Sequence, residues 1–291
     1  MKKLKAVLLV ISTIILITGC AKKSSDPVII HGSTTIEPVL VTLAESFEKK
    51  HDITFEIEAN GSKKGIRDLI EGRCHIADSS YKITPAQKKA AEKEGVKIRE
   101  FHLAYDIIAP VVHRDNGVSS ITMEKLRDIY TGKITSWGQV GWEDVPITVV
   151  TRDENSGTFH VWQNLVLNGK AVQSPSLVRQ SSNSSVLAYV AENRNAIGYI
   201  SNAFINSEIK PLAVNGITPG FTENNKTGFP IKRKLYVYVD MNNLSTNTKK
   251  FLLYILSTQG QKILEDEGFI PGAQSNGDRK RAEALLSIGH E

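Results

Sequence analysis

The chain reads as an α/β protein of two lobes with mainly parallel sheets, crossed twice by the backbone. Three observations carry this reading. Apolar strand-like runs alternate with helix-periodic runs from residue 28 to residue 267, the order that builds parallel sheets covered by helices. About 270 residues follow the first twenty, more than one core usually absorbs and comfortable for two. Two apolar strands, 103–112 (LAYDIIAPVV) and 234–239 (KLYVYV), are separated by enough chain to build a lobe. The backbone is therefore expected to leave the first lobe near residue 108 and to return near 235. That gives a first lobe of 28–107 and 235–291 and a second of 108–234. Clefts between such lobes, outside the carboxyl ends of the strands, are where α/β folds bind ligands.

Residues 1–19 hold Lys2, Lys3 and Lys5 and then an apolar run over 6–17, the pattern of an export signal too short to span a membrane. Ile17-Thr18-Gly19-Cys20 resembles a bacterial lipobox. That resemblance implies cleavage before Cys20 and a diacylglycerol on its thiol; the polar run over 22–27 reads as a short flexible tether, so that 20–27 form the lipidated cysteine and tether. The formal charge of +5 falls to +2 once residues 1–19 are removed, because they carry three lysines and no acid. No long Lys/Arg run remains, so nucleic acid is not an indicated partner. Cys74 is the only other cysteine, which leaves no intramolecular disulfide once Cys20 is acylated; it reads as a small buried apolar residue. The seven histidines show no metal-ligand spacing, and neither a metal nor any other cofactor is indicated.

Beyond the tether, a strand at 28–30 runs into His31-Gly32-Ser33-Thr34-Thr35 and a helix over 36–50, where Ile36, Leu40, Leu43 and Phe47 recur at helical spacing. Thr34 and Glu37 have capping-box spacing, and Pro38 falls in the first turn. Ser33, Thr34 and Thr35 are three hydroxyls where one cap suffices. A strand over 53–59 leads to Asn60-Gly61-Ser62 and a helix over 65–71, with Lys63 and Lys64 expected to face solvent. Helices over 85–94 and 123–130 flank the first crossover strand. A strand at 145–150 then opens onto Arg152-Asp153-Glu154-Asn155-Ser156-Gly157-Thr158 and a helix over 159–167. A helix over 186–193, a strand over 196–200, the returning strand and a final helix over 247–267 complete the order.

Three of these strand-to-helix turns share one chemistry. A helix N-terminus offers free backbone N–H groups and the positive end of its dipole, which hold small anions. At the third turn Ser156 and Thr158 add hydroxyls, Gly157 lets the backbone come close, and Arg152 can grip two oxygens at once. Residue chemistry alone thus points to an anion held between the lobes.

The runs GSTT (32–35), GSKKGI (61–66), IADSSYKI (76–83), LRDIYTGKITSWGQVG (126–141), TRDENSGTF (151–159), AIGYIS (196–201) and GQKILEDEGFIP (260–271) carry a further resemblance. Along nearly the whole chain beyond the signal, it resembles the phosphate-binding lipoproteins of high-affinity phosphate ABC transporters. The resemblance implies a two-lobed periplasmic-binding-protein fold, type II-like, that closes on inorganic phosphate and delivers it to the permease subunits. The protein would be a lipid-anchored monomer on the outer face of the cell membrane. The family's first ligand loop maps to Ser33, Thr34 and Thr35, its second to Ser62, and its arginine and Ser-Gly-Thr donors to Arg152, Ser156, Gly157 and Thr158. Ligand contact with both lobes favours the closed state, with hinges near 106–110 and 233–237.

One position departs from part of that family. Where some members carry an aspartate, this chain has Ser80, with Asp78 two positions earlier and on the same side of an extended segment. Glu154 falls where the family has an acidic partner for the arginine and is expected to orient Arg152 from behind. A serine donates as well as accepts and does not repel sulfate, so sulfate, molybdate or tungstate stay open as ligands. An envelope phosphatase using Ser156 is a reading from another class. It lacks a Gly-x-Ser-x-Gly elbow, and His160, one turn along, is expected to point away from the helix opening. A lipid-anchored sensor or adhesin on the same fold is the remaining alternative.

Overall fold

The computed structural model describes residues 26–221 and 227–272, together with 280, 283 and 284. The signal at 1–19, Cys20 and the tether up to residue 25 lie outside the described residues. The chain begins with β1 (Val28–His31), α1 (Glu37–Glu48), β2 (Phe55–Glu58), α2 (Ser62–Ile70) and β3 (Ile76–Ser79). Both β2 and β3 lie parallel to β1, one on each side. Alternation along β1 decides which helix covers which face: Val28 and Ile30 meet Leu40, Leu43 and Phe47 of α1, while Ile29 packs with Ile66 and Leu69 of α2. A Thr84–Gln87 capping box opens α3 (Pro85–Lys93), and the crossover strand β4 (Ile98–His113) follows.

The second flank contains β5 (Ser120–Ile121), α4 (Met123–Tyr130), β6 (Thr148–Arg152), α5 (Gly157–Leu165), β7 (Leu177–Gln180), α6 (Asn183–Glu192), β8 (Ala196–Ser201), β9 (Ile209–Pro211) and β10 (Ala213–Val214). Here β6 lies parallel between β7 and β8. An aromatic group sits within the aliphatic core of this flank: Trp162 stacks on Tyr199 with centroids 4.2 Å apart, and Tyr130, Trp137 and Phe229 are fully buried in the same core. The chain returns on β11 (Lys232–Asp240) and ends its described part in α7 (Thr246–Ile255), α8 (Thr258–Asp266) and β12 (Ile270–Pro271). Phe251, Leu252 and Leu264 of these last helices join the core of the first flank.

The two crossovers are neighbours. Residues 98–107 of β4 pair antiparallel with β11, and 108–112 pair antiparallel with β8. One sheet therefore runs β2-β1-β3-β11-β4-β8-β6-β7, parallel on each flank and antiparallel at its centre.

Three local expectations are corrected. The final helix over 247–267 is two helices, because Ser257 caps α8 through Gly260 N and a side chain at Gly260 would strike the Tyr254 carbonyl oxygen at 2.3 Å. The capping box at Thr34 and Glu37 is absent: α1 starts from Ile36 without a side-chain cap, and the Thr34 hydroxyl bonds elsewhere. Helices α2, α5 and α6 begin two or three residues earlier than their apolar periodicity suggests, at Ser62, Gly157 and Asn183. Polar residues and glycine fill those first turns, so hydrophobic spacing does not register them. Among the described residues no helix is long and apolar enough to cross a membrane.

Candidate functional site

Strands β1, β2, β6 and β7 each lead directly into a helix, and parallel neighbours place the helix N-termini at the same edge of the sheet. Four N-termini, two from each flank, consequently meet. Thr35, just before α1, lies 3.2 Å through its hydroxyl from that of Thr158 in α5, and accepts at 2.9 Å from the Asn183 amide of α6. The Lys63 amide of α2 donates to the Asn155 carbonyl across the seam at 3.1 Å. Gly157 abuts Ser62 and Ser80 so closely that a Cβ there would lie 2.4 Å from Ser62 Oγ.

Every expected ligand hydroxyl except that of Thr34 belongs to a buried residue. Ser33 Oγ and Ser80 Oγ are 2.5 Å apart, Thr35 N donates to Ser33 Oγ at 3.1 Å, and Ser80 N donates to Ser62 Oγ at 3.0 Å. The hydroxyl of Ser156 caps α5 by accepting from Phe159 N at 3.2 Å. The amides of Gly157 and Thr158 open that helix, where no carbonyl stands one turn back to take them.

Arg152 ends β6 inside this cluster and is 1% exposed. Its Nε donates to Gln180 O at 3.1 Å, and Nη2 donates to Ser181 O at 2.6 Å and Thr34 Oγ1 at 3.0 Å. Those acceptors are all neutral. Nη1 is buried without a hydrogen-bond partner among the described residues. Burial pulls the guanidinium down to about 10, a direction opposed by Tyr199 and Asp153. A dehydrated cation held by carbonyls, with one donor unspent, is built to receive an anion.

Asp78 lies behind the first loop, where Oδ2 accepts from Ser33 N at 2.8 Å. Burial pushes its carboxyl up to about 7, against the pull of that amide. In the unfolded chain an aspartate ionises near roughly 3.9. Between about pH 4 and pH 7 the folded protein thus holds a proton that the unfolded chain has lost, so stability falls as pH rises through that window. Melting of the ligand-free protein across pH 4 to 7 should show this slope. Asp78→Asn, which can still accept from Ser33 N, should flatten it.

The family profile described as "PBP superfamily domain" matches residues 21–259. A phosphate-binding protein PstS from Bacillus subtilis is 31% identical over 257 residues, covering 86% of this chain and 82% of the relative. The chain belongs to the PBP superfamily and, within it, to the PstS family. The Borreliella burgdorferi PstS is 28% identical, over 93% of this chain and 99% of its own. Among solved structures, one from Clostridium perfringens, of a protein assigned as a phosphate ABC transporter substrate-binding protein and holding bound phosphate, is similar at TM-score 0.78 and 34% identity. It covers 84% of this chain and 99% of that one.

Of the residues assigned through the PstS resemblance, Glu154 stands apart. It is exposed and lines a groove of about 510 Å³ on the rim, beside Lys63, Tyr81, His160 and Arg179. Arg152 is oriented instead by the Gln180 and Ser181 carbonyls, which β7 delivers from the next strand. His160 packs on Tyr81 across the seam at 4.4 Å, and its Nε2 bonds the Asn164 amide at 3.2 Å. Four residues of the cluster escaped sequence reading: Arg233, Asp106, Asn183 and Ser201, all buried. No local motif marks the first two. Asn183 could have been found as the first residue of a Ser182-capped helix, a fourth anion-type turn.

Proposed function

We propose that this protein is an extracytoplasmic receptor that captures inorganic phosphate and delivers it to an ABC transporter permease. The observation that carries the reading is Arg152: a buried cation bonded to neutral acceptors, with Nη1 unpartnered among the described residues, where four helix N-termini converge. A tetrahedral oxyanion supplies the missing counter-charge, and its oxygens spread over Ser33, Thr34, Thr35, Ser62, Ser80, Ser156, Gly157 and Thr158. Charge-assisted bonds contribute roughly 1.5–3 kcal/mol each, so about five suffice for micromolar binding after ordering costs. The lobes 28–107 with 235–291, and 108–234, close about hinges at 106–110 and 233–237, since donors come from both sides. The protein acts as a monomer tethered by a lipid on Cys20, and Cys20→Ser should move it from the membrane to the soluble fraction.

Calorimetric titration of residues 21–291, stripped of bound anion, with phosphate and then sulfate tests the reading. Tight phosphate binding with weak or silent sulfate is expected, alongside a smaller radius of gyration when phosphate saturates. Equal affinities would make the protein a general oxyanion receptor, and silence toward phosphate would overturn the proposal.

A further inference from the structure

Arg233 on the returning strand β11 lies directly opposite Asp106 on the outgoing strand β4, so one buried ion pair joins both crossovers. Arg233 Nε and Nη2 reach Asp106 Oδ2 at 2.9 and 2.7 Å. The same guanidinium donates to Thr158 Oγ1 at 2.8 Å and to Thr35 Oγ1 at 3.2 Å, one hydroxyl from each flank. Asp106 Oδ1 accepts from Ser201 Oγ at 2.8 Å, Ser201 N donates to Asn183 Oδ1 at 3.1 Å, and Asn183 Nδ2 returns to Thr35 at 2.9 Å. The bonds close a ring.

We infer that Arg233 is a positioning residue for anion capture, which aligns the hydroxyls of Thr35 and Thr158 so that both act as donors. The inference rests on the phosphate-receptor reading. A hydroxyl has two lone pairs and one proton. At Thr35 both lone pairs are taken, one by Arg233 and one by Asn183, whose amide is fixed in orientation because Oδ1 accepts from the Ser201 backbone. Thr35 therefore cannot accept from Thr158, and its proton goes to Thr158 or to the anion. Thr158 accepts from Arg233, and from Thr35 when that proton points its way, so its own proton is left for the anion. The two hydroxyls come from opposite flanks, so the alignment exists only when the flanks are together. Arg233 makes its contribution through these hydroxyls: four of its five N–H groups are engaged, two by Asp106 and one each by Thr35 and Thr158.

Two variants of residues 21–291, titrated with phosphate beside the wild type and melted without it, test this. Arg233→Lys keeps a cation for Asp106 but lacks the planar fork that spans a carboxylate and two hydroxyls. It should melt close to wild type and bind phosphate at least tenfold more weakly. The pair Asp106→Leu with Arg233→Met leaves no unpaired buried charge, so stability should hold while affinity stays at least tenfold down. If that double variant melts early, Arg233→Lys decides. Wild-type affinity in either folded variant, or affinity that returns on cooling in step with folding, would overturn the inference. A wild type silent toward phosphate would instead sink the receptor reading.

Discussion

Arg152→Ala is expected to weaken phosphate binding by about 3–5 kcal/mol, two to three and a half orders of magnitude in Kd. The size follows from burial. An anion in this cluster would lie among residues most of which are nearly as buried as Arg152 itself, and among the described residues Arg152 is the buried cation there with an unpartnered nitrogen, so its loss leaves an uncompensated charge. The effect on the ligand-free protein should be opposite in kind. Arg152 there bonds carbonyls and a hydroxyl and, among the described residues, no carboxylate directly, so its removal relieves a desolvated cation and the melting temperature should not fall in proportion. Arg152→Lys should fall between, because an ammonium keeps the charge and loses the fork. Titration and melting together separate these outcomes. An affinity loss under about 1 kcal/mol would place the anion elsewhere.

Gly157→Ala is expected to lower phosphate affinity by roughly 1–3 kcal/mol while leaving the ligand-free protein as stable as before. A Cβ at Gly157 would meet Ser62 Oγ at 2.4 Å, Ser80 Cβ at 2.8 Å and Ser62 Cβ at 2.9 Å, all on the opposite flank. The clash therefore exists only when the flanks are together, and it opposes the state that ligand selects. Nothing in the local backbone requires glycine there: Gly157 is not among the positive-φ residues, and alanine is the better helix former. Gly65→Ala is the informative contrast. Its Cβ would strike His31 O at 2.5 Å and Gly32 Cα at 2.6 Å, on its own flank, so it should lower the melting temperature with or without ligand. If Gly157→Ala bound phosphate as wild type does, closure would not bring α5 this close to α2.

The groups that sequence reading found and those it missed differ in how far their partners lie along the chain. Ser33–Thr35, Ser62 and Arg152–Thr158 are each the end of a strand plus the first turn of a helix, a signal complete within about ten residues. Their hydroxyl surplus was legible because an ordinary cap needs one. What each hydroxyl bonds was not legible. Thr34, spaced as a cap, accepts from Arg152 at a separation of 118 residues, and Arg233 finds Asp106 at a separation of 127.

The alternation of elements, the two long apolar strands and three of the four strand-to-helix turns of the cluster were legible in the chain, because periodicity and capping act over one or two turns of chain. Tertiary structure alone decided that β11 lies beside β4 in a register that sets Arg233 against Asp106. It also decided that Arg152 is steered by the carbonyls of Gln180 and Ser181 rather than by Glu154. The physical reason is the same in each case. A buried polar group must be satisfied by whatever the neighbouring strand and its register bring within about 3 Å, and that neighbour is chosen by sheet order, which no local pattern encodes.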